Sequence, residues 1–190
     1  DMPTVKTING KELTYNPSEP VCAFVFKTSI EPHFGEVSFF KLYNGEITEG
    51  TDLINSKSGT KERLGQLFAV YGKNREKLTK VVPGDIAASV KLKDTATNST
   101  LTTSKNTNDI VRPIEFPEPK FRVAVKATNQ GDEEKMARIL HSIHKVDQTL
   151  VIQYSKELKQ LILGGQGELH LNIIKWQIEN LEHIPIEFIA

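Results

Sequence analysis

Hydrophobic and polar positions along this chain follow two different rhythms. From Val21 to about Lys93, short runs that alternate apolar and polar residues are separated by turn chemistry, and that pattern predicts strands. Asn44-Gly45 predicts a hairpin turn, because both central positions of such a turn tolerate positive φ. "EGTD", "SKSGT" and "VPGD" punctuate the strands that follow, and Pro83-Gly84 suits a type II turn. The expected architecture of this half is an antiparallel barrel or sandwich, with no helix before residue 130.

The second rhythm begins after a break. Composition changes over Ser104–Lys120, which holds three prolines among several Asn and Thr residues and reads as an extended linker. Then "FRVAVKA" alternates as a half-buried strand, and Met136, Ile139, Leu140 and Ile143 mark one face of a helix. Asp132, Glu133 and Glu134 in its first turn, and His141, His144 and Lys145 near its end, suit the helix macrodipole. "TLVIQY" and "QLIL" predict two strands. A second helix carries Leu171, Ile174, Ile178 and Leu181 on a stripe that Leu169, Ile173 and Trp176 are expected to widen, and "IPIEFI" predicts a last strand. The order β-α-β-β-α-β is that of a ferredoxin-like α+β sandwich. The domains are therefore drawn as a β-barrel at 1–108 with an N-terminal linker at 1–19, a Pro-rich linker at 109–120, and the ferredoxin-like domain at 121–190.

Charge sharpens this picture little at the global level. The 190 residues carry 24 Lys and Arg against 24 Asp and Glu, so no overall field draws the molecule to nucleic acid or membrane. The single cysteine, Cys22, forbids an intrachain disulfide and suits a reducing cytoplasm. No apolar run approaches the roughly 20 residues of a membrane span, so no membrane partner is expected. A start at Asp1 and an end inside an apolar strand-like run are the expected marks of a piece of a longer protein.

Locally, Lys57, Lys61, Arg63, Lys73, Arg75, Lys77 and Lys80 face only Glu62 and Glu76 over one stretch, an excess of five positive charges. A solvated barrel face explains such a cluster; so does a patch that follows a nucleic-acid backbone through phosphate contacts. "GGQGELH", Gly164 to His170, raises the question of a phosphate cradle. A Walker loop needs a lysine that is absent here until Lys175, and a dinucleotide fingerprint needs a third glycine where His170 stands. Glu168 places a carboxylate where a phosphate would sit at the helix start. The glycines thus read as a tight strand-to-helix corner. His141 and His144 are spaced for a shared metal, but no third ligand accompanies them. His170 reads as a packed histidine at the edge of the apolar face. No nucleophile with a local signature is present, so neither catalysis nor a cofactor is expected within these residues.

Five segments in order, "FGEVSFFKLYNGEITEG", "GTKERLGQLF", "VVPGDIAASVKLKDT", "IEFPEPKFRVAV" and "GQGELHLNII", resemble successive signatures of bacterial elongation factor G. The resemblance covers the chain from about Pro20 onward. It implies the translation-factor β-barrel followed by the ferredoxin-like domain, without the GTPase domain. It also implies GTP and magnesium for a full-length parent, and as partners the small-subunit RNA of the ribosome together with the GTPase domain and later domains of the same parent. The basic residues Lys57, Lys61, Arg63, Lys73, Arg75 and Lys77 become expected RNA contacts. Gly165, Gly167, Glu168 and His170 become the expected coupling surface toward the GTPase domain. The family usually has Ser and Met at positions 164 and 166, Glu at 172 and Asp-Pro-Thr-Phe at 147–150, where this chain has Gly164, Gln166, Asn172 and Asp147-Gln148-Thr149-Leu150. These departures fit a divergent paralogue better than the housekeeping translocase. The family also includes ribosomal-protection, release and recycling GTPases. A stand-alone RNA-binding module is the rival from another class; it would need exposed aromatics on the central strands, which "FRVAVKA" and "QLILGG" do not supply as a pair.

Overall fold

The computed structural model describes residues 5–31, 34–72, 74–104 and 109–189. Contacts divide the chain into two compact units, Asp1–Ile114 and Glu115–Ala190. In the first unit the described strands are β1 (Val5–Lys6), β2 (Glu12–Leu13), β3 (Cys22–Glu31), β4 (Gly35–Asn44), β5 (Ile47–Thr48), β6 (Asp52–Asn55), β7 (Lys61–Arg63), β8 (Leu67–Tyr71), β9 (Asn74–Leu78), β10 (Lys80–Val81), β11 (Ile86–Val90) and β12 (Ser99–Thr102). Eight of them form one antiparallel sheet in the order β7-β6-β12-β3-β4-β11-β8-β9. The sheet curls around one core. Leu53 from β6 near one end meets Leu67 from β8 near the other, with Val25, Phe40, Ala87 and Leu101 between.

The expected hairpin at Asn44-Gly45 is a corner instead. β4 does not pair with β5, whose partner is β10. Asn44 ends β4, buried, and Gly45 alone takes positive φ (+75°). A Cβ at Gly45 would lie 2.7 Å from the Val21 backbone, so close approach decides the residue there. Pro83-Gly84 does form a turn, closed by the Asp85 N–H donating to the Val82 carbonyl, with Gly84 at φ +100°.

The segment read as an N-terminal linker is folded onto the barrel. β3 opens with the unbroken apolar run Cys22–Val25, of which Ala23 and Val25 point into the core and Cys22 and Phe24 point out. Outward apolar side chains need cover, and Leu13 of β2, Val111 and Tyr43 supply it. Thr7 bridges to Val111, and the Lys11 ammonium meets the Asp109 carboxylate at 2.8 Å. Residues 109–114 of the expected linker therefore pack with the barrel. Burial pushes the Cys22 thiol up to about 12 and leaves it inert.

The second unit holds β13 (Phe121–Ala127), α1 (Glu133–Val146) after a single 3₁₀ turn, β14 (Val151–Ser155), β15 (Gln160–Gly165), α2 (Glu168–Asn180) and β16 (Ile186–Ile189). The antiparallel order β14-β15-β13-β16 with both helices on one core makes the ferredoxin-like sandwich. Met136 and Leu140 of α1 and Leu171, Ile174 and Ile178 of α2 pack on Val125, Leu163 and Ile186.

Helix α2 differs from expectation in one respect. Leu169, Ile173 and Trp176 do not widen its buried stripe; they are 74%, 48% and 56% exposed. At about 100° per residue they lie on the side of the helix opposite Leu171, Ile174 and Ile178. Leu181, placed on the stripe by spacing, follows the helix and is exposed as well.

Ile178→Ala should therefore cost about 2–5 kcal/mol in denaturant unfolding, while Trp176→Ala should stay within about 0.5 kcal/mol. Equal losses would mean that the outer face is covered in the folded chain.

Candidate functional site

Two surfaces carry the sequence-predicted residues. The first lies on the barrel. β7 alternates Lys61 out, Glu62 in and Arg63 out. Glu62 is only 1% exposed, and its carboxylate accepts the Lys93 N–H at 2.8 Å, the Asp94 N–H at 2.7 Å and the Thr95 hydroxyl at 2.8 Å. It is an internal anchor for the 93–95 loop, and counting it against the surface charge was an error of the linear reading. Asn55, also buried, donates to the Asp94 carbonyl and accepts the Lys57 N–H, tying the 55–60 turn to the same loop. A cleft of about 420 Å³ here is lined by Lys61, Arg63 and Lys93, with Asp52 and Glu62. Lys93 is the residue that sequence reasoning missed, because it is brought beside β7 only through Glu62.

The rest of the predicted cluster does not join this surface as free charge. Arg75 pairs with Glu31 and stacks over Phe34, 4.0 Å from the ring centroid, with its side chain 15% exposed. Lys77 pairs with Glu49 at 2.9 Å, and Lys80 with Glu46 at 2.7 Å. Lys73 lies outside the described residues. Lys57, Lys61 and Arg63 are exposed and have no ion-pair partner among the described residues. One expected patch is thus two groups, of which the first has its cations unpaired.

The second surface is the strand-to-helix corner. Gly165 is required by packing: a Cβ there would sit 2.7 Å from Leu171 Cδ2 and 2.9 Å from His170 Nδ1. Gly167 does not match expectation. Its φ of 173° is extended backbone open to any residue, and a Cβ would meet nothing within 4 Å. Glu168 is exposed in the first turn of α2, where the helix dipole favours a carboxylate.

His170 is held at both ring nitrogens. The Gln166 N–H donates to Nδ1 at 3.1 Å, so the ring proton sits on Nε2 and donates to Asp147 Oδ2 at 2.8 Å. Asp147 Oδ1 in turn accepts the Thr149 hydroxyl at 2.6 Å and the Thr149 N–H at 2.9 Å. Burial pushes the Asp147 carboxyl up, but the Thr149 bonds and then His170 outweigh it and hold the group below its ordinary value. These bonds tie the His170 ring into its own domain, as expected of a packed histidine at the edge of the apolar face. Gln148 donates to the His144 and Lys145 carbonyls at the end of α1, and the His144 Nδ1–H donates to the Leu150 carbonyl at 2.6 Å. That bond uses only Nδ1 of one of the two imidazoles spaced for a metal. No grouping of three metal-ligating side chains occurs among the described residues.

Residues 20–104 match the family described as Elongation factor G domain 2, and residues 116–188 match Elongation Factor G, domain III. The chain belongs to the elongation factor G family. Among its relatives is an elongation factor G of Thermotoga neapolitana, 36% identical over 179 residues, which cover 92% of this chain and 26% of that protein. A crystal structure of a Thermus thermophilus protein shares the fold with a TM-score of 0.76 at 24% identity, over 90% of this chain and 26% of its own. The chain thus spans about a quarter of the length of the relatives it matches.

The corner's two glycines should respond differently to substitution. Gly165→Ala should destabilise the chain by about 1–3 kcal/mol through overpacking, whereas Gly167→Ala should change unfolding by no more than about 0.5 kcal/mol. The pH dependence has a definite sign. A carboxyl whose folded pKa is depressed adds stability that is full above the unfolded value of about 3.9 and is lost as pH falls through the folded value. The stability gap between wild type and Asp147→Asn should therefore be widest above pH ~4 and close at lower pH in acid unfolding series. A gap unchanged by acid would remove Asp147's ionised role.

Proposed function

We propose that this chain is the ribosome-docking and coupling portion of an elongation factor G-like translational GTPase, acting in translocation in the cytoplasm. GTP and magnesium belong in this reading to the GTPase domain of the parent, and the chain's own residues dock and relay. The observation that carries it is the pairing of the two family matches, in order along one chain, with a barrel face whose Lys57, Lys61 and Arg63 are unpaired, the last two lining one cleft with Lys93. Such cations follow phosphates without reading bases, which suits docking on folded small-subunit RNA. Arg75 and Lys77, already paired with Glu31 and Glu49, contribute less.

In the second unit the corner Gly165–His170 is the coupling surface toward the parent's GTPase domain. Glu168 and Leu169 are exposed there, while the His170 ring faces inward and fixes their position. A stand-alone RNA module gains no support from the sheet. By strand alternation the open face of the central strands β13 and β15 carries Arg122, Ala124, Lys126, Gln160, Ile162 and Gly164, with no aromatic platform for bases.

Co-sedimentation of the chain with small ribosomal subunits tests the docking. Affinity should fall steeply with salt. Lys61→Glu combined with Arg63→Glu should weaken binding on the order of tenfold or more, while Lys77→Glu should have a smaller effect. Unchanged affinity in the double variant, with the barrel still folded, would return this face to ordinary solvation.

A further inference from the structure

The corner is fastened to a segment that the docking and coupling roles do not use. Pro117–Lys120 lies against it through four contacts. The Gln166 Nε2 donates to the Pro117 carbonyl at 3.1 Å and to the Glu118 carbonyl at 3.3 Å. The Lys120 N–H donates to the Gly165 carbonyl at 2.9 Å. Pro119 covers Gly164 so closely that a Cβ there would lie 3.0 Å from the proline ring. These residues are the stretch by which the chain enters its second unit. On its other side, the same Gln166 gives its backbone N–H to His170, and His170 gives its Nε2 proton to Asp147 in the loop after α1.

We propose that Asp147, His170 and Gln166 form one joint that fastens the entry segment Pro117–Lys120 to the corner, with Asp147 and Gln166 as its positioning residues. The joint rests on the corner's proposed coupling role and supplies its route. A force that turns the start of α2 acts on His170, and through Gln166 it tightens or releases Pro117–Lys120. Gln166 suits the task because its backbone binds the histidine and its side chain binds the segment, so neither bond holds without fixing the other's donor. Gly164 suits it because a Cβ there would press on the Pro119 ring from 3.0 Å, so glycine lets the segment lie closest.

The test is hydrogen exchange on the 190-residue chain, read at two amides that do not touch one another. The Lys120 N–H reports the segment, and the Thr149 N–H, bonded to Asp147 Oδ1, reports the far end. Asp147→Asn contacts nothing in 117–120, yet Lys120 exchange should accelerate roughly tenfold relative to the core amide of Leu163. Gln166→Met, which removes only the side-chain amide, should accelerate Thr149 in return, since coupling between two sites is reciprocal. Ile186→Val, a core change away from the joint, sets the baseline for general loosening. If Lys120 in Asp147→Asn and Thr149 in Gln166→Met both follow that baseline, the joint is not coupled and the proposal fails. Should Asp147→Asn unfold the domain, the Gln166→Met reading decides alone. Ribosome affinity plays no part in this measurement, so failure of the joint leaves the docking face standing, and failure of docking leaves the joint to be judged by exchange.

Discussion

A carboxylate turned away from water must find its donors inside the protein, and two carboxylates, Glu62 fully buried and Asp147 partly so, organise this molecule. In the barrel, Glu62 turns inward from an edge strand and is satisfied by two consecutive backbone N–H groups and a threonine hydroxyl from the 93–95 loop. In the sandwich, Asp147 leaves the end of α1 and is satisfied by the N–H and hydroxyl of Thr149 and by His170. Each converts a loop that would otherwise wander into a fixed wall. The first wall places Lys93 beside Lys61 and Arg63; the second sets the ring of His170 and with it the start of α2. Removal of either partner leaves a charge or several donors unmet, and so these loops are held more firmly than their polarity suggests.

Much of the architecture was legible because it is written in periodicity. The alternation of "FRVAVKA" and the helical spacing of Met136, Ile139, Leu140 and Ile143 decide elements whose partners are near in sequence. What escaped was whatever depends on a distant partner. The apolar run Cys22–Val25 announces burial on both faces, but only the fold shows that β1, β2 and Val111 provide the second cover. Asn44-Gly45 carries the chemistry of a hairpin and serves as a corner, because the strand that follows is claimed by β10. Charges are the least legible of all. A linear count gives Glu62 and Glu76 equal weight and adds Arg75 to Lys61. The pleat buries Glu62, and Glu31 of a separate strand neutralises Arg75.

Helix α2 shows the same limit within a single element. Its apolar residues lie on two opposite faces, and Leu171, Ile174 and Ile178 alone supply its share of the core. Spacing of about 100° per residue separates the two sets, so the distinction was available from the sequence. Treating every apolar residue as part of one broad stripe concealed it. The buried face accounts for the helix's stability; Leu169, Ile173 and Trp176 add apolar surface beside Glu168 that the fold itself does not use.

The corner that joins β15 to this helix has the clustered glycines of a hinge, yet its physics is that of a clamp. Neither Gly165 nor Gly167 takes a left-handed φ. Gly165 is small because Leu171 and the His170 ring press against it, and the Pro119 ring lies close over Gly164. Hydrogen bonds of modest individual worth run through one residue, Gln166, to three places: His170, Pro117 and Glu118. Close packing resists continuous deformation and yields between discrete arrangements. Under the proposed coupling role, a corner built this way passes displacement on rather than absorbing it, and that property, rather than flexibility, is what such a role requires.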